Sequence, residues 1–217
     1  MVFYAHIQTN GADAGYRYII MAPRMEIVDE WYRAIATKKH DYDIRRVSPE
    51  FYTYNHHKLD VGHSTYSGRE LPKFHDIMTF TPLDSRMSPT FTNQGSVDRI
   101  SGNTFYIRSK SDPRVFWHER GGDIYASQRF RTRFRILNKD KIFGKQVMVD
   151  SDLISISPTT LLDGEVNVND EDGLCIDVVG TDIALGDLKS HFIPLWNGDN
   201  FRIIYDQGNG EEWELVS

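Results

Sequence analysis

The sequence predicts a mainly β protein, with an N-terminal α+β region over residues 1–100 that carries one helix and a barrel of three units of about 40 residues over 101–217. Between Gln128 and Leu137, Arg129, Arg131, Arg133 and Arg135 alternate with Phe130, Thr132, Phe134 and Ile136. A period of two belongs to a strand, whose successive side chains point to opposite faces, so the arginines form a ladder over a core-facing row. From Thr104 onward the apolar runs are short and bounded by turn residues, and 105–108, 115–118, 124–127, 130–137, 146–149, 153–157, 165–168, 174–179, 192–196, 201–205 and 213–216 all read as strands. Phe134-Arg-Ile-Leu, Ile176-Asp-Val-Val and Trp213-Glu-Leu-Val share the order apolar, charged, aliphatic, aliphatic at separations of 42 and 37 residues. Units of that size cannot each bury an apolar face; three stacked together complete one barrel.

In the first hundred residues, Val28, Trp31, Tyr32 and Ile35 fall at i, i+3, i+4 and i+7, the spacing of one helix face. Pro23 suits the first turn of that helix, and Lys38, Lys39 and His40 suit its negative end. Asp29 and Glu30, adjacent on the helix, point apart and read as a solvated face. Strand-like runs lie at 16–21, 42–47, 51–54 and 77–80, and the Pro-, Ser-, Thr-, Asn- and Gly-rich stretch 81–102 reads as a boundary loop.

With 217 residues, 40% apolar content and 12% aromatics, the chain can build a core without staples. The lone Cys175 forms no internal disulfide, no Asn-x-Ser/Thr sequon occurs, and the start Met-Val-Phe-Tyr-Ala-His-Ile-Gln lacks the basic-then-apolar pattern of a secretory signal. A reducing, cytoplasmic setting is the expectation, with no membrane span, since no apolar run approaches about 18 residues.

Charge is segregated. Residues 1–100 balance to zero, residues 101–150 carry +6 and residues 151–217 carry −12. The plain expectation is internal neutralisation, with the arginine ladder lying against acidic loops of its own domain; the sharper one is a patch for phosphate, sulfate or nucleic acid. A net charge of −6 argues against a dedicated nucleic-acid binder.

The strands Phe-Tyr-Ile-Arg-Ser (105–109), Asp-Ile-Tyr-Ala-Ser (123–127) and Arg-Phe-Arg-Ile (133–136), within units near 40 residues, resemble those of a β-trefoil of the ricin-B-like kind found in cytosolic fungal lectins. The resemblance covers about 100–217. Such lectins often carry Gln-x-Trp in each unit, and this chain has only Gln128-Arg-Phe130. The resemblance implies a non-catalytic carbohydrate-binding protein with shallow pockets, each an aromatic platform beside Asp or Asn, and a glycan or glycoprotein as partner. Asp112, Arg114, Trp117 and His118 form one candidate loop; Trp196, Asn197, Asp199, Asn200 and Tyr205 form the other. The plainer alternative makes Trp117 and Trp196 core residues and Asn197-Gly-Asp-Asn200 an ordinary turn.

The fold also serves inhibitors and companion subunits, so a protein partner is the alternative, for which Arg45, Arg46, Tyr52, Tyr54 and Tyr66 have the composition of an interface. A second alternative is an enzyme seated in residues 1–100, drawing on His56, His57 or His63. No Gly-x-Ser-x-Gly, phosphate-binding glycine loop or dinucleotide fingerprint supports it, and no cofactor is expected. His56, His57, His63 and His75, with Asp60, lack zinc-site spacing. The acidic insertion Asp163–Gly173 lacks the glycine and closing glutamate of an EF-hand, so it reads as a solvated loop or as the ladder's partner.

Overall fold

Phe3, Ala5, Ile7 and Thr9 alternate along the first strand and all turn inward; His6 is buried as well, so β1 (Phe3–Thr9) is covered on both faces along much of its length. The computed structural model describes residues 2–10, 16–38, 42–66, 69, 71–83, 94–140, 146–161, 164–169, 171–176, 182–196 and 200–217. They divide into two compact units, Met1–Asp98 and Arg99–Ser217. The fold is mainly β with one α-helix among the described residues, and no helix there is long and apolar enough to cross a membrane.

In the first unit β1 pairs antiparallel with β2 (Arg17–Ala22) and parallel with β4 (Phe51–Tyr54), while β3 (Arg45–Ser48) and β5 (Thr79–Pro82) are the edges of a five-stranded sheet. Helix α1 (Met25–Lys38) buries Val28, Trp31 and Ile35, as its spacing predicts; Pro23 lies just ahead of it. Trp31 packs 6.5 Å from the Tyr52 ring and 5.3 Å from Phe80, and its Nε1 donates to Ser64 Oγ at 3.3 Å. Met25 and Asp29 complete the buried set of the helix.

Two expectations are corrected here. Asp29 is not on a solvated face: only 1% of its side chain is exposed, and it accepts from Arg46 Nε at 2.8 Å and from the Tyr52 hydroxyl at 3.2 Å. The proposed Tyr- and Arg-rich interface is likewise split, since Arg46, Tyr52 and Tyr54 are buried while Arg45 and Tyr66 stay exposed. Burial opposes the Arg46 charge, but Asp29, with Tyr52 and Asp98, outweighs it and raises its pKa. Burial and the neighbouring Asp29 push the Tyr52 hydroxyl well above its ordinary range.

Among the described residues the second unit has eleven strands. β6 (Thr104–Ser109), β7 (Phe116–Arg120), β8 (Asp123–Ser127) and β9 (Phe134–Asn138) are followed by β10 (Leu153–Pro158), β11 (Val166–Val168), β12 (Leu174–Ile176), β13 (Ile183–Ala184), β14 (Phe192–Trp196), β15 (Phe201–Tyr205) and β16 (Trp213–Val216). Eight of them run side by side in the order β11-β12-β8-β7-β6-β9-β10-β13, a nearly closed barrel-like sheet, and β16 pairs with β6. A 3-10 turn, Leu185–Lys189, follows β13. β7–β8, β11–β12 and β14–β15 are antiparallel hairpins, the first turned by Gly121 and Gly122, whose φ of 64° and 92° only glycine adopts freely.

The second strands of those hairpins meet one another. Cys175 of β12 pairs with Asp123 of β8, Phe201 and Arg202 of β15 pair with Ala126 and Tyr125 of β8, and a bridge links Gly173 to Ile204. Within the core Trp117 meets Phe134, Phe192 and Trp213 edge-on at 6.2, 5.3 and 5.8 Å between ring centroids. The expected strand at 146–149 contributes only an isolated bridge from Val147 to Ile100, and that at 174–179 runs to Ile176, with 177–179 outside the described residues.

The strand expected from Phe130 begins pairing only at Phe134. The alternation nevertheless starts earlier: Arg131, Arg133, Arg135 and Leu137 are exposed while Thr132, Phe134, Ile136 and Asn138 are buried. Thr132 imposes this by donating its N–H to the Trp117 carbonyl at 3.0 Å and accepting the Glu119 N–H on Oγ1 at 2.9 Å. Internal neutralisation does not hold for the ladder among the described residues. Glu165 and Asp182 pair with Lys139, Glu214 with Arg108, Glu212 with Lys110, Asp150 with Lys189, and Asp123 and Glu171 with Arg202.

Candidate binding site

The loop joining β6 to β7 is organised by Asp112, whose N–H donates to Ser109 Oγ at 3.2 Å and whose carbonyl accepts from Val115 N–H at 2.9 Å. Its carboxylate takes the Arg114 N–H and Nε on Oδ1 at 3.1 and 2.9 Å, and Arg114 Nη2 and Gln128 Nε2 on Oδ2 at 2.8 and 3.3 Å. The hydrogen bonds from Arg114 hold its pKa down at about 2. A carboxylate has about four acceptor positions, so Asp112 is fully engaged. Its consequence is orientation: with Nε2 turned to Asp112, the Gln128 side chain keeps Oε1 and its second N–H for another partner.

Across from this pair stands the β14–β15 hairpin. Trp196 and Phe201 are cross-strand partners, lie edge-to-face at 5.0 Å, and are 57% and 48% exposed. Rings of that size left in water at a hairpin end form an exposed apolar surface. Asp112, Gln128, Arg129, Trp196, Asn200 and Phe201 line one cleft of about 510 Å³. The two loops picked out in the sequence thus contribute to a single site.

Not every expected residue is there. Trp117 is fully buried at the centre of the core aromatic cluster and offers no face to a ligand; this corrects its assignment to the site. His118, its neighbour on β7, points the other way, as alternation requires, and stacks on Phe130 at 5.2 Å in an adjoining cleft of about 650 Å³ that also holds Arg120, Arg129 and Asn200. Burial lowers the His118 pKa, with Arg120 adding to the effect and Glu119 opposing it. Tyr205 instead stacks on His191 at 5.5 Å and meets Phe192 at 5.7 Å. Arg114 acts through Asp112, and Asn197 and Asp199 lie outside the described residues.

Gln128, Arg129 and Phe201 were not singled out as ligand contacts from sequence. Gln128-Arg-Phe130 carried a signal for Gln128, whereas Phe201 becomes legible only when the hairpin register places it opposite Trp196.

His56, His57, His63 and His75 fall in two groups. His56 Nδ1 is 2.9 Å from Thr9 Oγ1 and its ring stacks on Tyr16 and meets His57; His63 pairs with Asp60, His75 with Asp76, and both meet the Tyr66 ring edge-on. Among the described residues no three His, Cys, Asp or Glu side chains converge as a metal-ligand set. In the acidic insertion Asn169 Oδ1 accepts from Glu171 and Gly173 N–H at 3.0 and 2.8 Å, so it serves a turn. Cys175 is a buried free thiol whose pKa burial raises.

Comparison of the chain with protein-family models, with curated proteins and with solved structures gives no match.

Proposed function

We propose that this is a non-catalytic carbohydrate-binding protein whose second unit is a β-trefoil-like module, with the glycan seated between Gln128 and Trp196. The trefoil reading is supported by three hairpins whose second strands pair in turn and by one member of each neighbouring barrel strand pair running on to the next, β16–β6–β9–β10–β13. The observation that carries the function is the cleft itself, where an exposed aromatic pair faces an amide held in one orientation by a carboxylate. A sugar presents the two matching surfaces, C–H groups that pack on a ring and hydroxyls that both donate and accept. Trp196 supplies the platform; Gln128 and Asn200 supply the polar partners.

Glycan-array binding followed by calorimetry on one positive glycan tests this. Trp196→Ala and Gln128→Ala each reduce affinity at least tenfold while the thermal midpoint stays put; unchanged affinity in both removes the site. One observation favours a protein partner instead: besides the aromatic pair, Leu195 and Phe130 are also 54% and 62% exposed, more apolar surface than a sugar needs. Co-purification of a partner at fixed stoichiometry, lost in Leu195→Asp, selects that reading.

A further inference from the structure

Cations in the second unit divide sharply. Arg99, Arg108, Lys110, Arg114, Lys139, Lys189 and Arg202 each have a carboxylate within 4.0 Å, whereas Arg120, Arg129, Arg131, Arg133 and Arg135 have none among the described residues. The unpartnered five are consecutive in the chain. The neighbours of Arg135 across the sheet are Thr104 on β6 and Ser157 on β10, and Glu214, on the far side of β6, is taken by Arg108. Among the described residues no carboxylate therefore stands opposite Arg135 in the sheet.

Two of the guanidinium groups, those of Arg131 and Arg133, are also held in place. Arg131 Cζ lies 4.5 Å and Arg133 Cζ 4.9 Å from the Tyr106 ring centroid, and Arg131 is 5.5 Å from that of Phe116. Stacking on a ring occupies the flat face of a guanidinium and leaves its N–H edge outward, the edge that grips an oxyanion with two parallel bonds. Alternate residues of an extended chain are spaced by about 7 Å, so Arg131, Arg133 and Arg135 form a row about 14 Å long. Arg129 lines the cleft at one end of that sequence.

We infer that the arginine row from Arg129 to Arg135 is an anion-binding track that selects sulfated glycans, extending the cleft of the carbohydrate reading, on which it rests for the sugar but not for the anion. Because the whole chain carries −6, a polyanion held here is held by a local surface and not by overall charge.

The test measures binding of dextran sulfate, unsulfated dextran and polyuridylate to the full chain by anisotropy at two salt concentrations. Three proteins are compared: wild type, Arg131→Gln/Arg133→Gln/Arg135→Gln, which removes the charge and keeps polar side chains, and the corresponding triple Lys variant, which keeps the charge. Dextran sulfate is expected to bind and to weaken with salt, unsulfated dextran not to use the row, the Gln variant to lose at least tenfold, and the Lys variant to fall between. No binding of dextran sulfate, or equal binding in the Gln variant, overturns the track and leaves Trp196-dependent glycan binding standing. Equal affinity for polyuridylate overturns the selection for sulfated sugar. Row-dependent binding of dextran sulfate with a glycan array blind to Trp196→Ala supports the track and fails the cleft.

Discussion

The Arg202 guanidinium lies flat against Gly173, so close that a Cβ on Gly173 would stand 2.5 Å from Arg202 Cζ. The same guanidinium donates to Asp123 Oδ1 at 2.7 Å, where the second strands of the three hairpins meet. Gly173→Ala therefore has to displace a pinned side chain, at a cost of about 1–3 kcal/mol. In Gly210→Ala the new Cβ meets the backbone of Phe192 N at 2.2 Å, which cannot swing away, so the loss is larger. Chemical denaturation of both variants checks the order; Gly173→Ala should also be less than additive with Asp123→Asn, because both loosen Arg202.

Trp117 and Trp196 separate stability from binding. Trp117→Ala empties the centre of an aromatic cluster and is expected to cost about 3–5 kcal/mol, measured by urea unfolding. Trp196→Ala removes an exposed ring and should change stability by no more than about 0.5 kcal/mol. The reverse order would place the core elsewhere.

The Asp29–Arg46 pair is buried on both sides, 1% and 4% exposed, with Tyr52 on the same carboxylate. Removing one partner strands the other charge, so Arg46→Met should destabilise the first unit by about 3–5 kcal/mol, whereas an Asp29→Leu/Arg46→Met double variant should recover much of that loss. Thermal unfolding of the two variants distinguishes them.

Burial lowers the pKa of His6, with Arg17 adding to it, and burial likewise lowers that of His118. A depressed histidine binds its proton in the unfolded chain before the folded one does, so stability is full above about pH 6.5 and falls as pH drops below it. A His6→Gln/His118→Gln variant should flatten the stability curve between about pH 6.5 and 5, read by urea midpoints across that range.

Sequence patterning reached the fold where periodicity was undisturbed. Val28, Trp31 and Ile35 announced α1, and the alternation from Arg131 to Asn138 announced the inward and outward rows on either side of Phe134. β1 escaped although Phe3, Ala5 and Ile7 alternate plainly, because the aromatic Tyr4 between them, 41% exposed in the fold, blurs the apolar–polar pattern. Asp29 escaped for a different reason: its partner Arg46 is 17 positions away, and no local spacing reveals an ion pair made by tertiary packing. The cleft was half legible. Asp112 and Trp196 stood out as a carboxylate and an aromatic in turn-rich sequence, but that they face one cavity follows from strand pairing, and Trp117, similar in local context, went to the core.

The pairing of β6 with β16, Tyr106 against Val216 and Ser109 against Trp213, spans more than a hundred positions. Contacts so remote in sequence are slow to form, since the intervening loop must be ordered before they repay it. During that interval one edge of β6 exposes unpaired amides and carbonyls, a template that a second molecule can occupy as readily as the proper strand. Refolding yield should thus decline with protein concentration, and dilution, more than temperature, should rescue it.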